Sequence, residues 1–125
     1  MDTKQLIEEI YAAAYEVRQH LYAGYLESVY QNALIIELRN RGFMVAAEVP
    51  ITVQYKGHTV GTFRADIIVN NEVILELKSV RELQPIHEAQ LVNYLLATGI
   101  NHGVVINYGD NYAFRYKTRD YRRFS

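Results

Sequence analysis

Two carboxylates and a lysine on neighbouring predicted strands are the residues best suited to do chemistry. Asp66 lies on the second predicted strand, and Glu76 and Lys78 lie two positions apart on the third. Because side chains alternate along a strand, Glu76 and Lys78 share one face. Carboxylates held close together repel unless a cation lies between them, and Mg²⁺ prefers oxygen ligands of this kind. With an ammonium group beside it, such a site suits attack by water on a phosphodiester.

Whether Asp66 faces Glu76 depends on the turn between the second and third strands. A two-residue loop at residues 70–71 would place Asp66 opposite Leu75 and send the two carboxylates to opposite faces. A three-residue loop at residues 70–72 places Asp66 opposite Glu76. Three-residue loops are common in hairpins, and asparagine tolerates the left-handed conformation that they need. We therefore predict the three-residue loop and a facing pair of acids.

The rest of the pattern predicts the elements that would position this pair. Apolar residues at three- and four-residue spacing predict helices over about residues 4–21, with Thr3 as the cap, 26–41 and 86–97. Alternation predicts strands over about 45–55, 58–69 and 73–80, then a short buried strand at 104–106 and a last one at 112–117. The order α-α-β-β-β-α-β-β indicates an α/β (α+β) fold, with a mixed β-sheet flanked by helices.

Composition and charge limit the classes of function. With 125 residues, 50% of them apolar, residues 1–125 are expected to form a single domain. The absence of cysteine excludes disulfides and thiolate metal sites, and we expect a soluble, cytoplasmic protein with no membrane segment. Residues 1–111 carry 8 basic and 13 acidic side chains, whereas the basic C-terminal tail, residues 112–125, carries five basic side chains and one acid. The near-neutral net charge of −1 therefore hides a basic segment that suits nucleic acid, or is simply a solvated terminus.

Three motifs together resemble a known family. Asp66 followed by Glu76-Leu77-Lys78 resembles the signature of the PD-(D/E)XK nuclease superfamily, with Ala65 where the signature has proline. Residues 24–30, Gly-Tyr-Leu-Glu-Ser-Val-Tyr, match the GxxExxY motif that names a small prokaryotic family of this superfamily. Residues 90–94, Gln-Leu-Val-Asn-Tyr, match a QxxxY motif found in another of its branches. The resemblance spans about residues 22–109 and implies a restriction-endonuclease-like core.

The resemblance implies a metal-dependent nuclease that acts on DNA in preference to RNA. Asp66 and Glu76 would be the central Mg²⁺ ligands, with Mn²⁺ as a substitute, and Glu27 would complete or steer the metal site. Lys78 would orient or activate the attacking water. The expected supporting residues of the cleft are Gln90 and Tyr94, with Tyr30 and His87 as accessory candidates. The expected nucleic-acid contacts of the basic tail are Arg115, Lys117, Arg119, Arg122 and Arg123.

Other interpretations of the same residues stay open. Glu76 and Lys78 could be solvent-facing strand residues, and Tyr94 an ordinary core residue of its helix. The chain could be a non-catalytic nucleic-acid-binding or assembly module on the same fold. A hydrolase of small phosphate esters is a third class, although no glycine-rich phosphate loop is present. The last strand could also pair with its counterpart in a homodimer.

Overall fold

The computed structural model describes residues 1–119, which form a five-stranded sheet with helices on both faces. The elements follow the chain as α1 (Thr3–Leu21), α2 (Glu27–Asn40), β1 (Val45–Tyr55), β2 (His58–Val69), β3 (Val73–Lys78), α3 (Pro85–Thr98), β4 (His102–Asn107) and β5 (Ala113–Thr118). The strands lie in sequence order across the sheet, and β3 and β4 are its parallel pair. The element order and the mixed sheet confirm the prediction from the sequence.

Two apolar cores lie on opposite faces of the sheet. On one face α1 and α2 cover Val73, Leu75 and Leu77 of β3. On the other face α3 covers Ile74 of β3 and Val105 of β4. The alternation of β3 thus supplies both cores, and β4 is buried between its neighbours.

The turn between β2 and β3 has the predicted length. Val69 pairs with Val73, so residues 70–72 form the loop, and Asn70 and Asn71 have φ angles of 51° and 55°. The ladder between β2 and β3 continues only to the Ile67–Leu75 pair. Beyond that point β1 and β2 pair only with each other, and residues 49–65 form what we call the hairpin arm.

The side chains of β2 switch from one face of the sheet to the other at Asp66. Ile67 and Val69 belong to the core under α1 and α2, whereas Ala65 belongs to the core under α3. Residues two apart on a regular strand would share one face. On β1, Glu48 lies at the same level and has φ of 50°, which is uncommon for a residue with a side chain. Asp66 therefore lies at a local irregularity, where β2 separates from β3.

Several element ends differ from the prediction. Asp2, rather than Thr3, caps α1, because its carboxylate accepts a hydrogen bond of 2.8 Å from the Gln5 backbone N–H. Helix α3 begins at Pro85, since proline needs no hydrogen-bond partner in a first helical turn. Strand β3 ends at Lys78 rather than residue 80.

The segment predicted as a basic tail is partly an ordered strand. Residues 113–118 form β5, which pairs along its length with β4 at an edge of the sheet. Its pairing with a second copy of the chain stays a prediction. Arg122 and Arg123 lie outside the described residues. None of the helices within residues 1–119 combines the length and the hydropathy that a membrane-spanning segment needs.

Candidate active site

Asp66 and Glu76 brace each other across the gap where β2 and β3 separate. The Glu76 carboxylate (Oε2) accepts a hydrogen bond of 2.9 Å from the Asp66 backbone N–H. The Asp66 carboxylate (Oδ2) accepts one of 2.8 Å from the Leu77 backbone N–H. The two side chains thus replace the backbone bonds that a continuing ladder would have made. The predicted juxtaposition of the two acids is present, although the strands no longer form a ladder at this level.

The surroundings of this acid pair make its negative charge costly. Glu76 is 4% exposed, and burial followed by the charge of Asp66 raises its pKa to about 8. Burial also raises the pKa of Asp66, against the opposing effects of the Leu77 N–H and Lys78. Two neighbouring acids with raised pKa values are typical of functional sites. Lys78 opposes the shift at both acids, so its charge acts on the pair as a whole.

Helix α2 contacts the site through two side chains one turn apart. The Glu27 carboxylate (Oε2) accepts a hydrogen bond of 3.3 Å from the Ser79 backbone N–H, just beyond Lys78. The Gln31 amide (Nε2) donates one of 3.2 Å to the backbone carbonyl of Asp66. Gln31 was not predicted as a site residue. Its spacing of four residues from Glu27 is the signal in the sequence that could have found it.

The segment that follows Lys78 is clamped by a buried asparagine. Asn107 is fully buried, and its side chain bonds both the N–H and the carbonyl of Val80, at 3.0 and 2.9 Å. Gly109 lies so close to Val80 that a Cβ at this position would be 1.8 Å from the Val80 carbonyl oxygen. This clamp explains why β3 ends early, and it fixes the backbone that bonds Glu27. A polar residue directly after the apolar run of β4 was the signal for Asn107, and sequence reasoning missed it.

The predicted residues of α3 divide between the site and other roles. Tyr94 is buried with its ring 5.2 Å from that of Phe63, and burial and then the charges of Glu76 and Asp66 raise its pKa. Tyr94 is therefore both a core residue and a neighbour of the acid pair. Gln90 is exposed, and we find no hydrogen bond of its side chain to residues 1–119. His87 (Nδ1) accepts a bond of 2.9 Å from the Gln84 N–H and so takes part in the cap of α3, while its role near the cleft stays a prediction.

Tyr30 supports the loop before Glu27 rather than Glu27 itself. Its buried ring stacks on that of Tyr108 with centroids 4.8 Å apart. Its hydroxyl donates to the Tyr22 carbonyl and accepts a bond of 3.1 Å from the Tyr25 N–H. The start of α2 is thereby fixed to the core, and the position of Glu27 follows from it.

The predicted basic contacts of β5 lie in different surroundings. Arg115 is exposed. Lys117 makes an ion pair with Glu88 of α3 at 2.8 Å. Arg119 (Nε) donates a hydrogen bond of 2.9 Å to the side-chain oxygen of Asn101. Lys117 and Arg119 thus also hold the edge strand onto its neighbours.

The donor set of the acid pair fits a hard divalent cation held by two carboxylates. In Asp66 and Glu76, one oxygen is anchored to a backbone N–H, and the other makes no hydrogen bond with the described residues. Mg²⁺ often uses only one or two carboxylates and keeps several waters. Across residues 1–119 no group of three or more His, Asp or Glu side chains is gathered as a metal site. The role of Glu27 in completing or steering the metal site stays a prediction.

A cleft of about 570 Å³ opens beside Glu27 and Ser79, and residues 24–26, 80–81 and 109–110 complete its lining. A larger cavity of about 660 Å³ lies between β1 and the end of α3, and none of the candidate residues line it. The first of these two spaces adjoins the candidate site through Glu27, whereas Asp66, Glu76 and Lys78 are not among its lining residues.

Known structures share this fold. The crystal structure of SSO0001 matches with a TM-score of 0.58 and 20% identity, over 73% of this chain and 48% of that one. The chain thus spans about half the length of that protein. The crystal structure of an alkaline exonuclease (LHK-Exo) from Laribacter hongkongensis matches with a TM-score of 0.50 and 17% identity, over 90% of this chain and 82% of that one. At these identities the likeness shows the fold.

The sequence itself identifies the family. No curated protein sequence matches the chain. The sequence model of the PD-(D/E)XK nuclease superfamily, however, matches residues 4–121, which is nearly the whole chain. The signature acids, the lysine after them and the fold around them agree with this match. The chain therefore belongs to the PD-(D/E)XK nuclease superfamily.

Proposed function

We propose that the protein is a metal-dependent nuclease of the GxxExxY type that hydrolyses phosphodiester bonds in DNA. The observation that carries the proposal is the reciprocal bracing of Asp66 and Glu76 by backbone N–H groups. This bracing holds a buried and a half-buried carboxyl group together in spite of the repulsion between their charged forms. A fold gains no stability from such a pair, so a cation that offsets its charge is the simplest reason for it.

Asp66 and Glu76 would hold Mg²⁺ through their unanchored oxygens. The bound ion would offset their charge and polarise the phosphate. Lys78, whose charge acts on both acids, would orient the attacking water. Glu27 would influence the site through its charge, which raises the pKa of both Asp66 and Glu76, and through its bond to Ser79.

The residues of α3 would act at the edge of this arrangement. The pKa of the Tyr94 hydroxyl is raised by burial and by the charges of Glu76 and Asp66, so this side chain lies close to the acid pair. Gln90 lies one turn earlier on the same helix and is exposed, which suits contact with the nucleic-acid backbone. Arg115 would add a positive charge from β5.

A non-catalytic nucleic-acid-binding module is the second candidate. One observation favours it: the Glu27 carboxylate is bonded to the Ser79 backbone N–H. In that case the acid pair would be a remnant of the fold, and binding would not depend on Asp66.

Cleavage of labelled DNA separates the two candidates. Wild type is incubated with single- and double-stranded DNA and with RNA of the same sequence, with Mg²⁺ or with EDTA. Lys78→Ala and Asp66→Asn are compared with it, and Asp66→Asn retains an acceptor for the Leu77 N–H. We expect Mg²⁺-dependent cleavage of DNA that each variant lowers by at least ~100-fold. Equal background cleavage by wild type and both variants on every substrate would refute catalysis and favour the binding module.

A further inference from the structure

The hairpin arm extends from the acid pair into solvent. Beyond Asp66 its two strands pair only with each other, and residues 54–60 at its end are all exposed. Its base is anchored by Ile51 and Phe63, which pack in the core under α3. An isolated two-stranded ribbon is marginally stable in water. A long exposed arm at this position therefore suggests a contact outside the domain.

The arm carries cations and no acidic side chain. Residues 49–65 contain no aspartate or glutamate, although the chain has 14 such residues in all. The arm carries Lys56 in its exposed turn and Arg64 near its base. Within residues 1–119 no ion pair involves Lys56, whose ammonium lies 5.5 Å from the centre of the Tyr55 ring. An acid-free surface with separated cations suits a polyanion.

Arg64 is available to such a ligand at little cost. Its guanidinium lies 3.3 Å from the Glu48 carboxylate, and these two side chains are 68% and 62% exposed. Exposed ion pairs of this kind contribute little to stability, so a phosphate can replace Glu48 as the partner. Arg64 is two residues from Asp66, which is about 7 Å along a strand.

We propose that the hairpin arm binds the phosphate backbone of DNA on one side of the cleavage position, through Arg64 and Lys56. This inference rests on the proposed nuclease function. From Asp66 to His58, the first residue of β2, a strand extends about 26 Å. At a rise of about 3.4 Å per base pair, the arm reaches at most about 8 base pairs from the acid pair. The arm contact therefore requires a duplex that extends that far.

Binding is measured in a Glu76→Gln background, in which cleavage is absent. The method is fluorescence anisotropy with two duplexes, of about 24 and about 10 base pairs, that share the same central sequence. Single-stranded DNA of the longer sequence is the second probe. Lys56→Gln is the test variant. Lys4→Gln is its matched control, because Lys4 is also exposed and lies on α1 near His102, away from the acid pair.

We expect Lys56→Gln to weaken binding of the longer duplex about 3-fold and to lower the slope of log affinity against log salt by about 0.9. Adding Arg64→Gln should bring the loss to about 10-fold. Lys56→Gln should bind the shorter duplex as the background protein does, and Lys4→Gln should be unchanged with each duplex. Adding Arg64→Gln should still weaken binding of the shorter duplex, because Arg64 lies about 7 Å from Asp66 and within that duplex's reach.

Three results would overturn the arm contact. The first is equal binding by Lys56→Gln and Lys4→Gln, since only net charge would then matter. The second is an equal loss of affinity for the short and the long duplex in Lys56→Gln. The third is a change in oligomeric state on size-exclusion chromatography of Lys56→Gln, which would assign the arm to a second copy of the chain. In each case Mg²⁺-dependent cleavage by wild type, lost in Lys78→Ala, would leave the nuclease function standing.

Discussion

Replacing Glu76 by glutamine in the metal-free protein should stabilise it at alkaline pH. The carboxyl group has an ordinary pKa of 4.5 and a pKa of about 8 in the folded chain. Below pH 4.5 it is protonated in the folded and unfolded states alike and contributes nothing to the pH dependence. Between pH 4.5 and 8 the unfolded chain loses the proton while the folded chain retains it, so the free energy of unfolding falls as pH rises.

The magnitude follows from the difference between these two values. A difference of this size corresponds to a loss of ~5 kcal/mol above pH 8. Asp66 titrates together with Glu76, and water can enter the separated strands, so we expect about half of that loss, ~2–3 kcal/mol. For a domain of this length that is about 10 °C in melting temperature. Glutamine retains the acceptor for the Asp66 N–H and removes the charge.

The assay is thermal unfolding in EDTA, followed by circular dichroism from pH 5 to pH 9. Wild type should lose stability steadily over this range relative to Glu76→Gln, with the two curves converging towards pH 5. Glu72→Gln is the matched control, since Glu72 is an exposed residue of the turn between β2 and β3. If the melting temperatures of wild type and Glu76→Gln depended on pH in the same way, the raised pKa of Glu76 in the folded chain would be refuted.

Three further perturbations test the site and its supports. Millimolar Mg²⁺ at pH 8 should raise the melting temperature of wild type by several degrees but not that of Asp66→Asn, because a ligand stabilises only the protein that binds it; an equal rise in both would place the ion elsewhere. Gly109→Ala should unfold the protein or cost at least ~3 kcal/mol in chemical denaturation, whereas Gly61→Ala, whose Cβ would meet its first neighbour at 3.6 Å, should cost under ~1 kcal/mol. Asn107→Ala leaves the half-buried N–H and carbonyl of Val80 without their side-chain partner and should cost ~2 kcal/mol, so a loss under ~0.5 kcal/mol would contradict the clamp.

The sequence was most informative where an alternating pattern or a turn is compatible with only one backbone arrangement. The alternation of β3 determines which residues enter each core, and the left-handed asparagines determine the three-residue turn. These two facts together place Asp66 opposite Glu76. Gly99, with φ of 76°, ends α3 one residue later than the apolar pattern indicates. Such features are local, so short-range patterns suffice to predict them.

The features that the sequence did not predict depend on contacts distant along the chain. The change of faces at Asp66 arises where β2 separates from β3, and no local pattern reports it. Gln31 and Asn107 act on backbone groups 35 and 27 residues away. The bond by which His87 caps its own helix was not predicted either. A polar side chain can serve either purpose, and only the fold decides between them.

The bracing of Asp66 and Glu76 bears on how this protein can change over generations. Each acid is also a structural acceptor for the backbone of the neighbouring strand. A descendant that loses its chemistry but must still fold should therefore drift to asparagine at position 66 and glutamine at position 76, and seldom to alanine. A library randomised at both positions and selected only for folding should become enriched in these amides.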